Sequence, residues 1–203
     1  WTTPNGRKVS ILLEELGVEY TAHAIDISKG EQHAPDFLKI APNNRIPAIV
    51  DRENGVQLME SGAIMLYLAD KYGKFQCSGV EYWRMMEWLM WQMGGVGPMF
   101  GQMGYFHAFG GKDIEDPRPA ERYRAEVARL LKVLDGQLEG RDWVTGDYSI
   151  ADIAIGPWIR TLVTHYKAQD RVGWSELRNV PAWYDRFMAR PAVQRGILVP
   201  AAG

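Results

Sequence analysis

The chain predicts two domains of different class: an α/β domain over residues 1–73 and an all-helical domain over 81–203, joined by a linker at 74–80. Three observations carry this reading. Up to residue 72 the apolar pattern alternates between helical and extended spacing, and from residue 81 it is helical. Asn54-Gly55, flanked by short apolar runs, is a hairpin signal. Between Gly73 and Val80 the periodic apolar residues give way to Lys, Gln, Cys, Ser and Gly, the composition of a boundary.

In the first domain, Val9, Leu12, Leu13 and Leu16 recur on one face of a helix over 6–17, and Gly17 supplies its C-cap. Residues 20–25 alternate apolar and small side chains, as a strand does. Ser28-Lys29-Gly30 then breaks into a loop before a short helix near 35–40. Residues 48–51 and 56–59 are the hairpin strands. Pro47 just ahead of them offers a cis bond that leaves the Ile46 N–H and C=O open to an extended, peptide-like ligand. Ser61 reads as the cap of a helix from Gly62 to about Tyr72, whose first N–H groups and positive dipole end suit an anion. Either motif alone is an ordinary strand start or cap; together they favour a site. The order of elements is thioredoxin-like.

In the second domain, Trp83, Met86, Met90 and Met93 fall near helical spacing from Glu81, and Gly94-Gly95 with Gly97-Pro98 predicts a bend. Val127, Leu131, Leu134 and Leu138 line one face of a further helix, ended by Gly140 and begun by the charged Glu121, Arg122, Arg124 and Glu126. Ser149-Ile150-Ala151-Asp152 is a capping box that opens a buried helix containing Trp158. A last helix covers about 181–189, with Pro191 as its stop.

With 203 residues, 46% of them hydrophobic, the chain can bury a sizeable core. A net charge of -2 gives no basic excess for nucleic acid. No run approaches the roughly 18 apolar residues of a spanning helix, and no export signal opens the chain. A cytoplasmic protein without a membrane segment is expected. Cys77 is the single cysteine, which excludes an internal disulfide and fits a reducing compartment. His23, His33, His107 and His165 lack metal-ligand spacing, so no metal is expected.

The order Thr3-Pro4-Asn5-Gly6, Ile46-Pro47, Glu60-Ser61 and Ser149-Ile150-Ala151-Asp152 resembles the cytosolic glutathione S-transferase superfamily across nearly the whole chain. Thr-Pro-Asn-Gly, Lys29-Gly30-Glu31-Gln32 and Pro42-Asn43-Asn44 resemble its bacterial Nu-class group of glutathione-dependent disulfide-bond reductases. The resemblance implies a glutathione S-transferase-like fold: a thioredoxin-like α/β domain followed by an all-α domain. It also implies a first strand ahead of Thr3, so the natural protein is expected to be longer.

Glutathione, reduced or as its disulfide, is then the expected co-substrate. Thr3 and Asn5 are the implied active-site pair, supplying hydroxyl and N–H donors that favour a bound thiolate. Arg45 can neutralise the glycyl carboxylate and Ile46-Pro47 reads the peptide backbone. Glu60 can accept from the α-ammonium group and Ser61 can donate to the γ-glutamyl carboxylate. Gln32 and, from the second domain, Arg122 are further implied contacts. The expected reaction is thiol-disulfide exchange on a small, apolar disulfide with no protein cysteine involved. Conjugation of glutathione to small electrophiles and a low-turnover glutathione-sensing module are the alternatives. A homodimer is expected, pairing the first domain of one chain with the Met- and Trp-rich helix of the other.

Overall fold

Thr3 decides where the first helix begins. It holds an extended backbone (φ -109°, ψ 158°) and its Oγ1 accepts from the Gly6 N–H at 3.1 Å. Helix α1 (Pro4–Leu16) therefore starts ahead of the first apolar residue of the pattern, with Pro4 where a missing N–H costs nothing. Gly17 ends it in the left-handed region, φ 69°. These assignments come from a computed structural model that describes residues 2–200.

The strand expected over 20–25 does not form: among the described residues no ladder runs along it. An extended segment without a pairing partner has nothing to satisfy its backbone except water. A 3₁₀ turn (Glu31–His33) and α2 (Pro35–Ile40) follow. Strands β1 (Ala48–Val50) and β2 (Gln57–Met59) pair antiparallel, with Ala48 opposite Met59 and Val50 opposite Gln57. Gly55 takes φ 76° in the connecting loop, a conformation glycine adopts without cost. Helix α3 (Ser61–Tyr72) comes directly after β2 and buries Ile64, Met65 and Leu68.

The described chain divides into two compact units, one running to Gln76 and resuming at Ala189, the other spanning Cys77–Met188. In the second, α4 (Gly79–Trp91) passes through a π turn (Gln92–Val96) into α5 (Gly97–Ala108). Gly94, Gly95 and Pro98 thus widen the helix by a turn rather than end it. Helix α6 (Arg118–Gln137) buries Val127, Leu130, Leu131 and Leu134. Helix α7 (Ile150–Arg160) opens on the predicted capping box. The fully buried Asp152 accepts from the Ser149 and Val144 N–H groups and from Trp183 Nε1. Burial pushes its carboxyl up to about 6, so three donors surround a carboxylate at neutral pH. Helix α8 (Val180–Ala189) stacks Phe187 on Trp183.

Pro191, expected to end the chain's last helix, instead opens α9 (Pro191–Gly196). Proline is tolerated at a helix start, so it marks a beginning as readily as a stop. Helix α9 belongs to the first unit and packs on α1: Ser10 Oγ donates to the Gly196 carbonyl at 2.7 Å. Arg190 and Arg195 pair with Glu15 and Glu14. Gly196 is required there, because a Cβ would lie 2.5 Å from the Ile11 Cα. Among the described residues no helix is long and apolar enough to cross a membrane.

Candidate active site

The Ile46-Pro47 bond is cis, and neither the N–H nor the carbonyl of Ile46 has a hydrogen-bond partner among the described residues. Backbone groups are normally paired with protein or with water, so these two are open to water or to an extended ligand. Continuing the β1–β2 register outward brings the residues ahead of β1 alongside the start of α3. Asn43 Nδ2 reaches Glu60 Oε1 at 3.5 Å across the same gap.

Ser61 corrects the sequence reading. It is the first helical residue of α3 rather than the cap, and among the described residues no side chain caps that helix at Glu60. The cap position falls to Glu60, whose φ of 70° and ψ of 112° are unusual for a residue other than glycine. Such a backbone costs of order 1–3 kcal/mol and tends to persist where function requires it. Glu60 thereby keeps an exposed carboxylate at the mouth of the site. Uncapped N–H groups in the first turn of α3 still favour an anion.

The side chain beneath is one the sequence reading missed. Lys8, only 1% exposed, extends from α1 and its Nζ donates to Ser61 Oγ at 3.2 Å. Burial pushes the amine down to about 7, against the opposing pull of the Glu60 charge. A signal was present. Lys8 lies four residues before Leu12 and eight before Leu16, on the apolar stripe itself, where a lysine is out of character.

Because α1 meets the start of α3 through Lys8, the N-terminal turn of α1 belongs to the same region. Thr3 Oγ1 accepts from Gly6, and its own proton remains available to a ligand among the described residues. Asn5 follows Pro4 in the first turn of α1. A sulfur at this end would meet a hydroxyl donor and the positive end of a 13-residue helix, both of which favour a thiolate. Gln32, in the 3₁₀ turn, has its Oε1 buried without a partner among the described residues. Arg45 is exposed and enters no ion pair there.

The remaining sequence candidates lie on the helical unit. Arg122 is exposed near the start of α6. Cys77 is half-buried, with its Sγ 3.6 Å from Thr145 Oγ1. A groove of about 590 Å³ lined by Arg84, Trp88, Trp91 and Arg141 also belongs to this unit and shares no residue with the cluster just described. Among the described residues no group of His, Cys, Asp and Glu is arranged to hold a metal ion.

Residues 1–70 match the family model for the glutathione S-transferase N-terminal domain, and residues 99–191 match that for the C-terminal domain. The chain is similar to an Escherichia coli protein named disulfide-bond oxidoreductase YfcG, 40% identical over 208 residues that cover 99% of this chain and 94% of the relative. It is also similar to a Pseudomonas putida glutathione transferase solved with one glutathione disulfide per subunit. There the TM-score is 0.97 at 48% identity, covering 98% of this chain and 89% of the other. A Burkholderia graminis glutathione transferase with two glutathione molecules per subunit gives 0.96 at 49% identity, covering 100% and 87%.

Proposed function

The chain belongs to the glutathione S-transferase family, and on that premise we propose that it is a glutathione-dependent disulfide-bond reductase whose reacting sulfurs all come from its ligands. The observation that carries the reading is the open backbone of Ile46 beside an uncapped helix start flanked by Glu60 and Ser61. An extended tripeptide uses both: its backbone pairs with Ile46, and its γ-glutamyl carboxylate takes the N–H groups of α3 with the Ser61 hydroxyl. Glu60 receives the α-ammonium group, Arg45 the glycyl carboxylate, and Gln32 the amide groups between them. The cysteinyl sulfur then falls towards Thr3 and Asn5.

The chemistry needs two glutathione thiols. Thr3 and the α1 dipole hold the first as thiolate, which attacks one sulfur of a small disulfide RSSR; the S–S bond breaks and RS⁻ leaves, taking a proton as RSH. A second glutathione thiolate attacks the glutathione sulfur of the mixed disulfide, releasing the other RSH and leaving glutathione disulfide. Two thiols are oxidised and one disulfide is reduced. The protein contributes orientation and thiolate stabilisation, which can replace much of the entropic cost of bringing the partners together. Arg122 is assigned the remaining contact from the helical unit, the protein is assigned to the cytoplasm, and the assembly is a homodimer.

Turnover of a small disulfide against an aryl halide, both with reduced glutathione, tests the reading. Disulfide turnover should dominate, Thr3→Ala should lose most of it, and Cys77→Ser should keep it. A folded but inactive Cys77→Ser protein would overturn the mechanism. Dominant aryl halide turnover would transfer the assignment to conjugation, and binding without turnover of either would transfer it to a sensing module.

A further inference from the structure

A lysine amine inside the α/β unit is expensive, and the position of this one needs a reason. Lys8 is 1% exposed, yet its Nζ ends 3.2 Å from the oxygen of Ser61, itself 3% exposed. Ser61 is the first residue of α3, so the charge lies directly under the helix end assigned above to an anionic group. Desolvation of an ammonium is costly unless a negative group offsets it. Glu60 is a charged neighbour whose pull favours the ammonium form of Lys8. Among the described residues, the other charges on α9 and α3 are engaged or remote. Arg190 and Arg195 pair with Glu15 and Glu14, Lys71 pairs with Asp51 and Glu53, and Asp70 is exposed at the far end of α3. On α1 itself, Arg7 donates to the Ile197 carbonyl.

We infer that Lys8 is a positioning residue of the glutathione site: from beneath the α3 N-terminus it fixes the Ser61 oxygen and adds a buried positive charge under the γ-glutamyl carboxylate. This rests on the glutathione reading and deepens it. The ligand carboxylate adds a negative charge beside that of Glu60, so occupancy and the ammonium form of Lys8 favour each other. Near neutral pH, where burial leaves the amine only partly protonated, binding therefore draws a proton onto Lys8.

Calorimetry with S-methylglutathione, whose sulfur cannot titrate, tests this on the wild type, Lys8→Met, Ser61→Ala and the double variant. Each single change should weaken binding about tenfold or more, the loss expected when one partner of a charged hydrogen bond is removed. The double variant should be no more than about twofold weaker than the worse single one, since the two residues act as one unit. Repeating the titration at pH 7.5 in buffers of different ionisation enthalpy should show proton uptake by the wild type and none by Lys8→Met. Affinity of Lys8→Met within about twofold of wild type, beside a weakened Ser61→Ala, would overturn the inference and leave the glutathione reading standing. So would losses that simply multiply in the double variant. If Lys8→Met does not fold, the wild-type buffer series decides, and absence of proton uptake overturns it. Wild-type protein that does not bind S-methylglutathione would remove the glutathione reading itself.

Discussion

Lys8 ties the stability of the unliganded protein to pH in a direction opposite to that of a lysine whose charge is held by an ion pair. In the unfolded chain its amine holds a proton up to the ordinary value of 10.5, whereas burial brings the folded value down to about 7. Between those values the unfolded state binds more protons, so stability rises with pH across that window. Below about 7 both states are protonated and the cost of the buried charge is present in full. Denaturant unfolding of wild type and Lys8→Met at pH 7 and 9.5 should show a rise in the wild type that the variant lacks; equal slopes would contradict it. At this scale the sequence is an uneven guide. Thr3 and Ile46-Pro47 are legible because backbone chemistry singles them out. Glu60 is not, since its positive φ is imposed by the junction of β2 with α3, and that same junction shifts the helix start to Ser61.

At the level of elements, the seam between α1 and α9 is set by a single glycine. A Cβ at Gly196 would lie 2.5 and 2.7 Å from the Ile11 backbone Cα and N and 2.8 Å from its Cγ1, and backbone yields far less readily than a flexible side chain. Gly196→Ala should destabilise by about 1–3 kcal/mol or more, the scale of an overpacked core. Gly136, in the last turn of α6, has room for a Cβ, with nothing within 4 Å among the described residues, so Gly136→Ala should stabilise by about 0.4–1 kcal/mol, chiefly by restricting the unfolded chain. Thermal unfolding that moved both variants in the same direction would refute the contrast. The helices α1, α3, α6 and α7 and the hairpin are legible because their periods, caps and Asn54-Gly55 are local signals. The strand over 20–25 misleads because alternation shows what a segment can pair with, not that a partner is there. Helix α9 escapes notice because its six residues carry too short a period, and Pro191 reads equally as a stop.

For the whole molecule, the exposed apolar residues of the second unit bear on assembly. Val80, Trp83 and Met90, on α4, are 71%, 70% and 48% exposed, a concentration that isolated surface residues do not explain. The proposed homodimer buries them against α3 of a second copy. Light scattering at micromolar concentration should give twice the 23.0 kDa chain mass. Trp83→Glu should shift the population towards monomer. A monomeric wild type with full activity would reject the pairing. The two-class architecture is legible in the change of period near Gly73, but the return of the chain at Ala189 is not, because membership of a unit is decided by packing distant in sequence. That return has a consequence for synthesis. A ribosome emits α1 well before α9, so the α/β unit cannot close its seam until the chain beyond Ala189 has been made. The helical unit, contiguous in the chain, is free to fold first, and a polypeptide broken off before Ala189 lacks the piece that completes the α/β unit.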